Sequence, residues 1–431
     1  MSTSAELHER RQSAVARGIG HATAIYAKKA LNSEIWSEEG KRYIDFGAGI
    51  AVVNTGHQHP RIIEAVKRQL ESFTHVCFQV TPHENYITLA ERLNAIAPVP
   101  GPAKTMLVST GAEAVENAVK VARAYTGRTG IISFGGGFHG RTHVGMALTG
   151  KVVPYKKGFG PFLPDIYHAM FPNAYHDVSA EQSLASIKHI FKNSIDPSNV
   201  AAIIIEPVQG EGGFNIAPIN FLKSLRALCD EHGIVLIADE IQTGFARTGK
   251  MFCLEHAGIK ADVVTMAKGL AGGMPLAAIV GRADVMDAAN PGGLGGTYAG
   301  NPVACAAAHA VLDVIKDEDL TTRANRIGEI ITSRLAQIKE RSNLNCIGDI
   351  RGLGAMCALE LVKNQSTHEP NPALTANLLK AANERGLILL SCGTYGNVIR
   401  FLVPLTASDA LVQEGMDVFA EALVDAVNRT A

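Results

Sequence analysis

Three short, almost wholly apolar runs stand out in the middle of the chain. Ala201-Ala202-Ile203-Ile204-Ile205 ends in Glu206-Pro207, Ile234-Val235-Leu236-Ile237-Ala238 ends in Asp239-Glu240, and Val263-Val264-Thr265-Met266-Ala267 ends in Lys268-Gly269. Branched apolar runs of this length, without alternation, predict strands covered on both faces. Between the first two, Phe221, Leu222, Leu225, Leu228 and Cys229 recur at helical spacing. Strand, helix, strand is the parallel crossover unit, and such sheets carry ligand chemistry at the carboxyl ends of their strands. Asp239 and Lys268 both fall at such ends.

The same reading extends along the chain. A short polar helix is predicted over 6–17, then a hairpin over 34–46 in which Trp36 and Tyr43 pack on each other. Helices follow from Pro60 and over 84–94. A strand over 105–108 runs through Ser109-Thr110-Gly111-Ala112 into a helix with Val115, Ala118, Val119 and Ala122 on one face. Another strand, 131–134, leads into Gly135-Gly136-Gly137-Phe138-His139-Gly140-Arg141. Residues 151–200 read as a loop-rich excursion closed by a helix over 182–191. The run 276–280 reads as an antiparallel or edge strand. A glycine-dense loop over 291–302 carries Thr297 and Tyr298, and an alanine-rich helix runs from Pro302 to about residue 315. A composition shift near 316–320 marks a boundary. Beyond it, a helix carrying Ala324, Ile327, Ile331, Leu335 and Ile338 opens a unit of mixed helices and strands, with Arg400 on a strand over 398–403. The fold class is therefore α/β, a large domain with a mostly parallel central sheet and a smaller α+β domain. The boundaries are 1–55 for an N-terminal segment packing with the small domain, 56–318 for the large domain and 319–431 for the small one.

The length, 431 residues, suits two domains rather than one. Lys+Arg 40 against Asp+Glu 41 gives a net charge of -1, which does not suggest a nucleic-acid-binding surface. Cysteines 77, 229, 253, 305, 346, 357 and 392 show no paired spacing and read as reduced thiols of a cytoplasmic protein; no metal site is expected. No secretory signal or membrane span is expected either.

The candidate chemistry gathers at strand ends. A strand passing through small residues into a helix leaves backbone N–H groups free at the helix start, which favours a phosphate; many such helices bind nothing. Phe138 at a glycine-lined strand end can stack on a flat ring or serve as a core aromatic. Arg141 is a candidate carboxylate clamp. A strand-end lysine such as Lys268 can form a Schiff base when burial lowers its pKa, and a carboxylate such as Asp239 can keep a pyridine nitrogen protonated. With the helix start at 109–112, these residues outline a site for pyridoxal 5'-phosphate. A buried Asp–Lys salt bridge, or a capping Asp with a surface Lys, fits the pattern as well.

The combination Asn54-Thr55-Gly56-His57, Gly111-Ala112-Glu113-Ala114, 137–142, 206–213, 239–249, Lys268-Gly269 and Gly295-Gly296-Thr297-Tyr298 resembles the class III, or ω-, aminotransferases of pyridoxal-phosphate fold type I, over nearly the whole chain. Within that family it is most similar to bacterial members acting on 4-aminobutyrate and 5-aminovalerate; ornithine and acetylornithine members fit less well. The resemblance implies that Lys268 carries the cofactor, Asp239 pairs with its ring nitrogen, and Gln242 bonds its 3'-oxygen. Ile241 and Phe138 would sandwich the ring, and Gly111 and Ala112 would give amides to the phosphate. Thr297 would reach the phosphate of a neighbouring subunit, implying a homodimer with shared sites, with a homotetramer also known in the family. Ile50, Arg141, Glu211 and Arg400 would bind substrate, Glu211 pairing with Arg400 when an ω-amino acid is bound and releasing it for an α-carboxylate. Glu206 would support Gln242 or nearby water. Many family members have serine where this chain has Ala112, so a weaker grip on phosphate is expected.

Overall fold

The computed structural model describes residues 2–340 and 344–430. Its largest sheet has seven strands in the order Ala103–Val108, Ala277–Arg282, Val263–Met266, Val235–Asp239, Val200–Ile205, Gly130–Phe134 and Ile166–Ala169. The three apolar runs are adjacent parallel strands at its centre, every residue of them buried. Helix Ile219–His232 makes the crossover between the first two and buries Phe221, Leu222, Leu225, Leu228 and Cys229. Helix Gly111–Thr126 covers one sheet face. Its Val115, Ala118, Val119 and Ala122 pack with Ile131, Ile204, Ile237 and Ile279 in one apolar cluster.

Ala277–Arg282 is antiparallel to both of its neighbours. It lies inside the sheet rather than at the edge, because Ala103–Val108 pairs on its outer side. The excursion 151–200 also contains a strand, Ile166–Ala169, which forms the opposite edge in parallel with Gly130–Phe134.

Beyond helix Pro302–Asp317, helix Leu320–Lys339 buries Ala324, Ile327, Ile331, Leu335 and Ile338. It packs on an antiparallel sheet ordered Ile347–Leu353, Met356–Asn364, Val398–Phe401, Leu390–Cys392. The N-terminal strands Ala27–Leu31, Glu34–Ser37 and Arg42–Asp45 form a separate sheet closed by Leu387–Ile388, which pairs in parallel with Arg42–Asp45. In the hairpin Trp36 stands opposite Arg42, and Tyr43 opposite Ile35. Side chains alternate along a strand, so Trp36 and Tyr43 point to opposite faces and do not pack together as expected. Each instead receives a lysine, Lys29 over Trp36 and Lys41 over Tyr43.

Among the described residues no helix is long and apolar enough to cross a membrane. All seven cysteines are free thiols.

Candidate active site

The carboxyl ends of the central strands open into one cavity of about 480 Å³. Its wall holds Gly111, Ala112, Phe138, Arg141, Glu206, Asp239, Ile241, Gln242 and Lys268. Residues separated by more than 150 positions meet there because each lies at, or within seven residues beyond, the carboxyl end of a strand of the same sheet.

At one end of the cavity begins helix Gly111–Thr126. Thr110 caps it, accepting from the Glu113 amide, while the Glu113 carboxylate accepts from the amides of Ser109 and Thr110 at 2.8 Å each. The first-turn amides of Gly111 and Ala112 are left without an intrahelical acceptor, beside the cavity. The approach here is close: a Cβ on Gly111 would come within 3.0 Å of Ile241 Cδ1, and one on Gly140 within 2.9 Å of Ala112 Cβ. Such a start with exposed amides suits an anion.

At the other end Asp239 is buried and fully engaged. Its Oδ2 lies 2.8 Å from His139 Nδ1, and its Oδ1 accepts from the Thr265 hydroxyl at 3.0 Å and the Ile241 amide at 3.2 Å. Burial alone would depress the His139 imidazole. The hydrogen bond to Asp239 and the charges of Asp239 and Glu206 outweigh it, so its pKa is raised. His139 therefore favours the imidazolium beside Asp239. Sequence reasoning gave His139 no role. Its only signal was its place in the glycine segment 135–140, next to Phe138.

Glu206 is buried, and burial is the main cause that pushes its carboxyl up to about 7. Its oxygens accept from the Phe138 amide at 2.8 Å and the Gly210 amide at 2.9 Å. Its bonds go to the backbone of two loops, where the sequence placed it beside Gln242 or nearby water. Gln242 instead packs its amide against Gly210, where a Cβ would lie 2.6 Å from Gln242 Nε2, and Gln242 Oε1 is buried with no hydrogen-bond partner.

Lys268 opens onto the same cavity with a backbone φ of 45°, a left-handed conformation that is uncommon for a lysine. Burial lowers its pKa to about 8, against the opposing pull of Glu211. Close by, Arg400 is buried and its Nη1 donates to Glu211 Oε1 at 2.5 Å. Burial would raise the Glu211 pKa, but Arg400 pulls it below the ordinary carboxylate value. Arg141 stands apart from this pair, its guanidinium carbon 5.7 Å from the Phe138 ring and 5.5 Å from the Tyr155 ring.

Ile50 and Thr297 are exposed and lie outside the residues lining this cavity. Ile50 belongs to a turn in which Ala48, Gly49, Ile50 and Ala51 all have positive φ, between 45° and 67°. For each non-glycine residue this costs about 1–2 kcal/mol. Asp45 holds the turn, its Oδ1 accepting from the amides of Gly47 at 2.8 Å and Ala48 at 3.0 Å and its Oδ2 lying 2.8 Å from His57 Nε2.

The donor set fits pyridoxal 5'-phosphate. Free amides stand at a helix start, a buried carboxylate lies beyond them, a buried amide oxygen lacks a partner, and an amine of lowered pKa lines the same cavity. The class-III aminotransferase family profile matches residues 14–423. The chain is 52% identical to the 5-aminovalerate aminotransferase DavT of Pseudomonas putida, over 98% of this chain and 99% of that one. It is 50% identical to the 4-aminobutyrate aminotransferase GabT of Escherichia coli, over 99% and 100%. Among solved structures it superimposes on a Bacillus anthracis aminotransferase with a TM-score of 0.91, 29% identity and coverage of 98% and 99%. The chain belongs to the class-III aminotransferases. Its architecture, a large α/β domain with a smaller domain, is that of the fold type I pyridoxal-phosphate enzymes, and its chemistry is amine transfer from small amine substrates.

Proposed function

We propose that the protein moves the terminal amine of 4-aminobutyrate to 2-oxoglutarate, giving succinate semialdehyde and glutamate in two half-reactions at one site. The observation that carries this reading is the buried Glu211–Arg400 pair beside Lys268, with a second arginine, Arg141, standing apart on two aromatic rings. One substrate has its amine at a chain end, so nothing ionic flanks the reacting carbon. The other carries an α-carboxylate there. A buried guanidinium without an anion is costly. Glu211 supplies that anion while an ω-amino acid is bound and yields Arg400 to the α-carboxylate of glutamate or 2-oxoglutarate. Arg141 takes the distal carboxylate in both cases, and Ile50 lines the path of the methylenes.

When bound, pyridoxal 5'-phosphate supplies the electron sink that lets the amine-bearing carbon lose a proton. The amides of Gly111 and Ala112 would hold its phosphate, Phe138 and Ile241 would enclose its ring, Gln242 would bond its 3'-oxygen, and Asp239, bonded to His139, would pair with its nitrogen. Lys268 would hold the cofactor between turnovers, and its Nζ would take up and return the substrate proton, an ordinary general-base role for an amine of lowered pKa. Glu206 ties the Phe138 and Gly210 loops together around the ring. Thr297 completes the phosphate site of a second copy, which makes the working unit a homodimer, alone or doubled into a tetramer. In this reading residues 56–318 hold the cofactor, while 1–55 and 319–431 form the substrate side with Ile50 and Arg400.

5-Aminovalerate is a second donor. It is one methylene longer, which an apolar path discriminates by only about 1–3 kcal/mol, and the relatives named for the two substrates are almost equally similar to this chain. The test is to incubate purified enzyme with 2-oxoglutarate and each donor in turn. Glutamate and the matching semialdehyde forming one for one from 4-aminobutyrate supports the reading. Glutamate forming from N-acetylornithine but not from 4-aminobutyrate overturns it.

A further inference from the structure

One aromatic residue touches both carboxylate-recognising halves of the site and has no role in the scheme above. Tyr155 lies between helix His143–Leu148 and strand Ile166–Ala169. Its ring is 4.9 Å from that of Phe138, tilted by 56°, and sits under the Arg141 guanidinium. Its hydroxyl is 3.4 Å from Glu211 Oε2, the oxygen not facing Arg400. The same loop is anchored to the switch from another side. Lys151 Nζ donates to the Gly393 carbonyl at 2.8 Å, and the Gly393 amide donates to the Glu211 carbonyl at 2.9 Å.

We propose that Tyr155 is a positioning residue whose hydroxyl holds Glu211 against Arg400 and so biases the site toward the ω-amino acid half-reaction. The inference rests on the Glu211–Arg400 exchange proposed above.

The bias follows from which state contains the contact. With an ω-amino acid bound, Glu211 stays on Arg400 and keeps the tyrosine hydroxyl as a second donor. When an α-carboxylate takes Arg400, Glu211 leaves and that hydrogen bond is broken. The hydroxyl therefore stabilises only one of the two arrangements, and an interaction shifts an equilibrium only by its difference between states. The hydroxyl remains a donor at any working pH, because burial, aided by Glu211, pushes its pKa up to about 12. The ring fixes where the hydroxyl points, clasped between Phe138 and Arg141. Arg141 has no ion pair among the described residues.

The experiment uses holoenzymes of wild type, Tyr155→Phe, Glu211→Ser and the double variant. Each is mixed rapidly with 4-aminobutyrate or with glutamate, and the half-reaction is followed by the visible absorbance of the cofactor. Tyr155→Phe keeps the ring and removes only the hydroxyl. We expect it to speed the glutamate half-reaction by about three- to tenfold, the worth of one hydrogen bond that no longer has to be broken, with 4-aminobutyrate changed less than about twofold. On the Glu211→Ser background it should change the ratio of the two rates no further. A purely structural role would slow both substrates together. If Glu211→Ser separates the two substrates but Tyr155→Phe does not, the role of Tyr155 is wrong and the exchange stands. If Glu211→Ser slows both substrates equally, the exchange itself fails, and the inference with it.

Discussion

His139 Nδ1 lies 2.8 Å from Asp239 Oδ2, with both side chains buried and 100 residues of sequence between them. The pair sets the charge at the floor of the cofactor cavity. The hydrogen bond to Asp239 and the charges of Asp239 and Glu206 raise the His139 pKa against the effect of its burial.

Replacing His139 by alanine removes a charge-assisted hydrogen bond. Cofactor retention and turnover should both fall by about 10–100-fold, as expected for a bond of about 1.5–3 kcal/mol. Equilibrium dialysis of the cofactor and steady-state rates measure the two effects. Because the His139 pKa is raised in the fold, the stability it contributes is fully present below the ordinary histidine value and is lost as pH rises through the raised one. Unfolding midpoints of wild type and variant should therefore converge at alkaline pH.

Lys268 gives a second pH signature. Only the neutral amine attacks an aldehyde, and burial lowers this amine to about 8. Uptake of pyridoxal 5'-phosphate by cofactor-free protein should therefore accelerate up to about pH 8 and then level off. An ordinary lysine would keep gaining rate to about pH 10.4. The sign for stability is the reverse of the histidine case. Burial favours the neutral amine, so the contribution of Lys268 is present above the ordinary lysine pKa and is lost as pH falls through about 8.

The left-handed turn at 48–51 depends on Asp45, which holds the amides of Gly47 and Ala48 at its start and His57. Asp45→Ala should destabilise the protein by about 2–4 kcal/mol, with two buried amides and one imidazole left without their acceptor. If Ile50 lines the substrate path, KM for 4-aminobutyrate should rise more than KM for 2-oxoglutarate. Urea unfolding and initial rates check the two halves of this prediction.

Ala112 lines the helix-start end of the cavity with an amide and no hydroxyl, where the proposed function places the phosphate. Ala112→Ser should tighten cofactor binding by about three- to tenfold, one added hydrogen bond, with little change in kcat. Titration of the cofactor-free variant against wild type measures it.

The central strands were legible because burial on both faces leaves unbroken apolar runs, and the polar residue that ends each run marks the cavity. Ile205, Ala238 and Met266 close their runs within one or two residues of Glu206, Asp239 and Lys268. Strand Ile347–Leu353 gave no such signal. Only Ile347 is buried, and two glycines, Asp349 and Arg351 interrupt its pattern. The contact between Asp239 and His139 was hidden for another reason, since pairing across parallel strands leaves no local trace in either segment. The turn at 48–51 was equally silent, as Ala-Gly-Ile-Ala does not advertise a positive φ. The hairpin shows the limit of pattern reading on register. A shift of one residue moves a side chain to the other face, and Trp36 and Tyr43 fall on opposite sides.

The most direct test of a single site serving two kinds of carboxylate is a single-turnover titration of the purified holoenzyme. Its visible cofactor absorbance is followed after mixing, separately, with 4-aminobutyrate, 5-aminovalerate, N-acetylornithine and glutamate. Rapid loss of the band with 4-aminobutyrate, 5-aminovalerate and glutamate, and a much slower loss with N-acetylornithine, is the predicted result. Loss with N-acetylornithine and glutamate but not with 4-aminobutyrate would contradict it, leaving an aminotransferase in which Arg141 and the Glu211–Arg400 pair serve a different donor.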